Sequence, residues 1–508
     1  MTDPDKPGLN RRQLLAGVAA AAATTAAAGA CAVPRSAVKS WDMTVDVLIA
    51  GSGAAGVSAA IEACHSDVQV LVVESLLNFG GSSSLSGGVI YAGGGTALQK
   101  ALKVEDSPEE MFKFLSQAGT THPPLDKIQL YCEESVAHFD WLLDQGIDYS
   151  GQFTVAKGLP MGDESLYYSG TEQAWPAREL ARPAARGHVP GVPGLNGGRH
   201  LMETLIPRAL KLGAKFRSQV SGEQLIVESD GRIAGMVVTI DDKPMNIRVR
   251  RGVVLACGGF IHNREMVKQY APQLYNCSVP WGSAGDMGQG INMGVGAGGA
   301  TLRMHEGFAI APIYPPENSI SGILVNASGQ RFISEESYHG VLGHAITYHQ
   351  GGKAWLITDQ GSSYTFEQDN FPLAAKADTI GDLANRLGMP RGSLQNTVAY
   401  YNRHAVNHND PLFKKSSSYL RPLKGPPYEA WDISVDRAFF PAHTFGGLRT
   451  SVDGEVYNSF GEVIPGLYAA GRNTAGLPTA PYIASGLSVG DCTFFGRRAG
   501  RAAAGGAN

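Results

Sequence analysis

The stretch "VDVLIAGSGAAGVSAAIEAC", residues 45–64, leaves few folds open. An apolar strand runs into a glycine turn and then into a helix of small residues. Gly51, Gly53 and Gly56 fill the G-x-G-x-x-G positions. The first permits the tight turn, the second lets a pyrophosphate approach the backbone, and the third lets the helix press on the sheet. Ser52, Ala54 and Ala55 lie between them and offer backbone N–H groups to the same anion. A second strand, "VQVLVVES" (68–75), ends in Glu74 and Ser75, and Glu74 is suited to accept hydrogen bonds from a ribose diol. Strand, triplet, helix, strand and terminal acid in this order predict a dinucleotide site.

A second Gly/Ser stretch, "NFGGSSSLSGGVIYAGG" (78–94), follows Glu74, where an NAD domain has an ordinary crossover. Backbone N–H groups from Gly81 and the hydroxyls of Ser82, Ser84 and Ser86 suit phosphate and ribityl oxygens, and Gly87–Gly88 suits the edge of an isoalloxazine ring. Three more glycine turns follow apolar runs, and their candidate contacts are Ala256 and Gly258, Asp286, and Gly471 and Arg472; Val220 joins them from a strand region. Asp286 and Arg472 are assigned to flavin or loop support. A site drawn from both chain ends suits a long, bent FAD better than NAD.

A chain of 508 residues exceeds one simple core and predicts two packing units. Its 17% charged residues and 64 glycines fit a compact enzyme with many tight turns. The formal net charge of −4 offers nothing to a polyanion, which excludes a nucleic-acid partner. Residues 1–33 stand apart. Arg11 and Arg12 precede the Ala-rich run Leu14–Ala30, followed by "AGACAV". This pattern predicts a twin-arginine signal peptide and hence an exported, extracytoplasmic protein, with the twin-arginine export machinery as a partner. A membrane anchor is the alternative, but the run is short for a span. Cys31 sits where a lipoprotein cysteine would lie. The six cysteines form no C-x-x-C or C-x-x-C-H, so neither a dithiol pair nor c-type haem is expected, no metal site is assigned, and buried free thiols are the reading.

Residues 100–210 turn helical and polar, with Ser107 as a cap, Pro108 at the first helical position and one amphipathic helix over 125–146. Asp230-Gly231 predicts a hairpin. From about 300 the glycine-rich pattern lapses until 444, with a hairpin at Ser328-Gly329 and helices around 380–405. The expected organisation is an α/β chain: a discontinuous Rossmann-like FAD-binding domain, 41–299 and 445–508, interrupted by an α+β capping and catalytic domain, 300–444.

"VLIAGSGAAG", "GGSSSLSGG", "ILVNASGQRFISEES", "HTFGGLRTSVDGEV", "IPGLYAAGRNT" and "GLSVGDCTFFGRRAG" occur in an order that resembles the FAD flavoproteins comprising soluble fumarate reductases and 3-ketosteroid dehydrogenases. Covalent members carry a His where this chain has Leu85, so the resemblance implies noncovalent FAD. Carboxylate-reducing members carry an Arg near the final glycine loop, which here reads "APYIASG" without one. His443, however, matches the substrate-side His of fumarate reductases. The steroid branch fits better: "EESYHG" aligns Tyr338 with its active-site Tyr, and "YIASG" aligns Tyr482 and Gly486 with the groups holding a 3-keto oxygen. "LYYSGTEQAWPARELARPAARGHVP" (166–190) points to the 4-ene-forming (5α) members, in which Ser485 donates to the ketone.

The implied chemistry removes a proton from the carbon beside the ketone and a hydride from the next carbon. Leu487, Ser488 and Val489 open the helix behind Gly486 and complete the flavin contacts. Tyr338 is the expected base, directly or relayed through Tyr482, with Tyr167 and Tyr168 as further candidates. A neutral steroid ketone and an external electron acceptor, quinone or redox protein, are the implied partners. A 1-ene-forming dehydrogenase, an exported fumarate or urocanate ene-reductase, and a flavin carrier without its own substrate are the competing readings.

Overall fold

The computed structural model describes residues 31–311, 317–362 and 371–505, without the side chains of Glu317 and Asn318. The twin-arginine segment lies outside these residues. Among the described residues no helix is long and apolar enough to cross a membrane.

The run at 45–50 ends the strand Met43–Ala50, and the glycine turn leads into the helix Ala54–Cys64. That strand pairs in parallel with Val70–Val73 on one side and with the second half of Lys243–Leu255 on the other. Val70–Val73 continues to Lys215–Arg217, and Val253–Leu255 to Leu467–Ala469, also in parallel. The carboxyl ends of these strands share one edge, where open α/β sheets bind their ligands. Lys243–Leu255 is long because its first half belongs to an antiparallel meander with Ile233–Ile240 and Val220–Val227. The meander turns at Gly231, φ +87°, as Asp230-Gly231 predicts.

Val47, Ile49, Val70 and Val72 are buried on one face of the sheet, against Ala54–Cys64. The C-terminal helix Leu487–Ala503 lies directly on that helix. A Cβ on Gly496 would come 2.4 Å from the Ala55 carbonyl oxygen, and one on Gly500 2.2 Å from that of Ala59. Small residues four apart thus let the two backbones touch, and this draws the chain's end to the first glycine turn.

A separate four-stranded antiparallel sheet joins Ile323–Val325, Trp355–Thr358, Tyr428–Asp432 and Leu373–Ala377. The helices Ile380–Arg386 and Ser393–Ala405 bury Leu383, Leu394 and Val398 in the core of this layer. The turn at Asn326–Gly329 is the hairpin read from Ser328-Gly329. Over 125–144 there are two helices, Leu125–Glu133 and Ser135–Asp144, rather than one. Ser135 is turned inward, where its hydroxyl accepts from Gly93 N–H. Cys132 and Cys277 are buried, Cys64, Cys257 and Cys492 half-buried and Cys31 exposed, all as free thiols.

Candidate active site

The three glycines of the first turn do different work. A Cβ on Gly51, φ +103°, would lie 2.2 Å from the Ala256 carbonyl oxygen, and one on Gly56 2.0 Å from that of Gly51. Both positions are closed by protein backbone. At Gly53, φ −69°, the nearest atom would be Ser83 Oγ at 3.5 Å. Its missing side chain leaves room at the N-terminus of Ala54–Cys64, where an anion is favoured.

Glu74 is buried at the end of its strand, and its Oε2 accepts from Ser52 N–H (3.0 Å) and Ser52 Oγ (2.7 Å). Ser75 Oγ and Leu76 N–H donate to its other oxygen. Val220 N–H donates to the Glu74 carbonyl and Ala256 N–H to that of Ala50, so both tie strand ends together at the cleft.

Gly81–Leu85 forms a 3-10 helix, which repeats every three residues and explains the fate of the serines. Ser84 Oγ donates to the Gly81 carbonyl and Ser86 Oγ to that of Ser83, both local bonds. Ser83, absent from the sequence reading, reaches the first turn and accepts from Ala54 N–H at 3.0 Å. Ser82 Oγ donates to Asp286 at 2.8 Å. Gly87 packs on Leu159 and Gly88, φ +71°, on the Gly197 backbone.

Asp286 is no surface residue. It is buried, accepts from Ser82 and from Arg472 Nη2 (2.6 Å), and would clash at 2.1 Å with a Cβ on either Gly258 or Gly282. One carboxylate therefore joins three glycine-rich loops. Gly471, φ +64°, lies against Ala55 and Cys492. Among the described residues, Arg472 Nη1, Asn473 Nδ2 and Ser488 Oγ are buried without a hydrogen-bond partner. Buried polar groups are rarely left unpaired, and these three line the strand ends and the start of the last helix. Together with the open face of Gly53, they are donors fit for a flavin dinucleotide.

Across from this cradle stands the terminal loop. Its residues 483–485 pair with 169–171: Ser485 N–H donates to the Ser169 carbonyl (2.8 Å), Thr171 N–H to that of Ile483 (2.9 Å), and Gly170 bridges Ala484. Gly486 caps the last helix at φ +100°, and its carbonyl accepts from Tyr91 N–H. Its own N–H is absent from the hydrogen bonds among the described residues. Leu487 is buried behind it.

Tyr338 comes from the other layer. Upstream, Arg331 binds Glu335 and Asp410, while Lys415 binds Glu335 at 3.2 Å, all nearly fully buried. Burial opposes the Glu335 charge, but Arg331 and Lys415 overcome it and hold its carboxyl down to about 2. This fixes the turn that delivers Tyr338 to the N-terminus of His339–His344. Gly340 then presses on the Tyr482 carbonyl, 2.6 Å from a Cβ placed there.

The result is a hydrogen bond of 2.6 Å between Tyr338 Oη and Ser485 Oγ. Tyr482 is near, with ring centroids 6.3 Å apart, but its hydroxyl accepts from Ser488 N–H at 2.9 Å. The direct partner of Tyr338 is thus the serine, and Tyr482 anchors the helix start. Burial pushes Tyr482 up to about 12 despite the Ser488 bonds, and it raises Tyr167 further. Tyr167, Tyr168 and His339 line the same cavity with Tyr338 and Ser485. His443 packs against Phe308 and Phe445, the two rings that also flank Tyr482. Burial and then Arg472 push its pKa well below the ordinary value.

A flavin cradle and a hydrogen-bonded tyrosine–serine pair in one chain are the constellation of an oxidoreductase. Residues 46–484 match the FAD binding domain family, and the chain belongs to it: an FAD-dependent oxidoreductase. It superposes on the 3-ketosteroid-Δ4-(5α)-dehydrogenase of Rhodococcus jostii RHA1, solved with 4-androstene-3,17-dione, with a TM-score of 0.87, 39% identity, and coverage of 93% of this chain and 99% of that one. The 3-oxo-5-alpha-steroid 4-dehydrogenase of Comamonas testosteroni is 29% identical over 85% of this chain and 93% of its own. A cytochrome-type fumarate reductase of Shewanella frigidimarina is 29% identical over 91% of this chain and 77% of its own.

Proposed function

We propose that the protein dehydrogenates a 3-ketosteroid, forming the 4-ene from a 5α substrate. The observation that carries this reading is the 2.6 Å bond between Tyr338 and Ser485 beside the unused N–H of Gly486. The first glycine turn, Arg472 and Asn473 would hold FAD, which would supply an acceptor for the hydride of the β-carbon. Ser485 Oγ and Gly486 N–H grip the ketone oxygen at the positive end of the last helix, where enolate charge develops. Tyr338 Oη takes the α-proton. In the resting enzyme Tyr338 donates to Ser485 Oγ, which leaves the single serine proton for the ketone. Leu159, Tyr167 and Tyr168 line the cavity beside the pair and suit an apolar ring system, with Phe308, Phe445 and Tyr482 packed as a buried cluster. Residues 300–444 act as the capping domain over the discontinuous FAD-binding domain. The electrons leave to an external quinone or redox protein, and the twin-arginine leader places the enzyme outside the cytoplasm.

The test is anaerobic. 5α-Androstane-3,17-dione is expected to bleach the bound flavin and yield 4-androstene-3,17-dione. A 1,2-desaturated product would move the reading to the 1-ene branch. An inert steroid, with fumarate reoxidising the dithionite-reduced enzyme, would replace it with the ene-reductase to which the fumarate reductase relative and His443 point.

A further inference from the structure

Behind the terminal loop runs a buried chain of polar groups that no step above uses. Asp106 and Arg186 form a fully buried, two-pronged pair, with Nε–Oδ2 at 2.9 Å and Nη2–Oδ1 at 2.6 Å. Arg186 Nη1 reaches the Tyr91 hydroxyl at 3.5 Å. Tyr91 Oη donates to Glu172 Oε1 at 3.1 Å, and Glu172 Oε2 accepts from Gly170 N–H at 2.9 Å. Glu172 is 1% exposed.

The two ends that Glu172 joins are the two that hold the substrate-gripping loop. Gly170 belongs to the segment paired with 483–485, and Tyr91 N–H holds the Gly486 carbonyl. Tyr91 is itself pinned through its carbonyl by Tyr131 Oη at 2.6 Å. One carboxylate thus spans both supports of Ser485 and Gly486, without touching the cavity.

We propose that Glu172 is a positioning residue: as a carboxylate it locks the Gly170 and Tyr91 segments around Ser485 and Gly486, and when protonated it releases that lock. The inference rests on the carbonyl-gripping role given to this loop above. Oε2 faces an N–H, so a proton must sit on Oε1. There the bond to Tyr91 reverses, and the tyrosine proton is turned toward Arg186, which only donates. Burial raises Glu172 to about 7, with Arg186 and its hydrogen bonds opposing. The other groups around it are Tyr91, Tyr167 and Tyr168, all raised by burial and hence neutral, and the permanently paired Arg186 and Asp106. His188 behind them is pushed down to about 4. Of the groups in this buried network, Glu172 is the one brought near neutral.

The experiment is anaerobic single-turnover reduction of the FAD-loaded enzyme by 5α-androstane-3,17-dione, followed across pH. The wild-type rate is expected to fall below about pH 7, as Glu172 takes up its proton. Glu172→Gln imitates the protonated state; it should be slower by roughly 10- to 100-fold at pH 8, the scale of a small misplacement, and show no acidic limb. Its FAD content should equal wild type. A second variant, Tyr91→Phe, removes one arm of the lock and should also be slowed at pH 8; losing a bond that lowers the Glu172 pKa moves the limb left by the Gly170 arm to higher pH. A wild-type rate and limb in Glu172→Gln would overturn the proposal. If that variant fails to fold, an unmoved limb in Tyr91→Phe does so. If the steroid does not reduce the wild-type flavin, the functional reading fails and this inference falls with it.

Discussion

Tyr338→Phe is expected to lower steroid turnover by about 10²- to 10⁴-fold, the range of a lost general base, while the protein stays yellow. The Tyr338 ring is buried and packs on His339 at a centroid distance of 4.1 Å, so phenylalanine keeps the packing. What it removes is the oxygen 2.6 Å from Ser485. Steady-state kinetics beside the flavin spectrum checks this: kcat and kcat/KM should fall together, since the missing contact acts in the transition state. Ser485→Ala should lose less, about 2.7–4 kcal/mol of barrier, because Gly486 N–H still faces the oxygen. Comparable turnover in Tyr338→Phe would remove Tyr338 from the mechanism.

The second large effect concerns the cofactor. Gly51→Ala is expected to yield colourless, unstable protein. Its φ of +103° disfavours any side chain, and the new methyl would overlap the Ala256 carbonyl. That carbonyl cannot retreat easily, because Ala256 N–H is bonded to Ala50 at 2.7 Å. Strain and overlap together cost about 2–4 kcal/mol. Gly53→Ala is the control. There φ is −69° and no protein atom lies closer than 3.5 Å, so the variant should melt near wild type yet lose FAD on dilution. Thermal melts and the flavin-to-protein absorbance ratio separate the two. Equal FAD retention in both variants would contradict the different roles assigned to these glycines.

What the sequence made legible was local or lay within a motif. The strand, glycine turn and helix at 43–64 require a particular backbone, and their residue types announce it. Tyr338, Ser485 and Gly486 were found through motif order, and the structure brings them together across 147 residues of chain. Less legible were details set by local geometry. Ser82, Ser84 and Ser86 read as an alternating row, but a 3-10 helix has a period of three, and Ser83 is the residue that meets the first turn. The helix is interrupted at Glu134, φ −97° and ψ 4°, beside the Ser135 hydroxyl that accepts from Gly93 N–H, and no periodicity reveals either feature. Tyr482 read as a donor to the ketone; what the sequence does not reveal is that its hydroxyl oxygen also accepts from Ser488 N–H, a bond that leaves its own proton to donate. Glu172, Tyr91 and Arg186 were invisible because each is unremarkable alone, and the side-chain bonds Tyr91–Glu172 and Arg186–Asp106 span 81 and 80 residues of chain.

The central claim is that the terminal loop polarises a ketone while Tyr338 removes the neighbouring proton. Its most direct measurement is anaerobic flavin reduction by 5α-androstane-3,17-dione carrying two deuteriums at C4 or one at C5. The account predicts slower bleaching from either label, with one of the two C4 deuteriums released to solvent and the other kept in the 4-ene. A flavin that stays oxidised with this ketone, or bleaching that leaves both C4 deuteriums in the product, would contradict it.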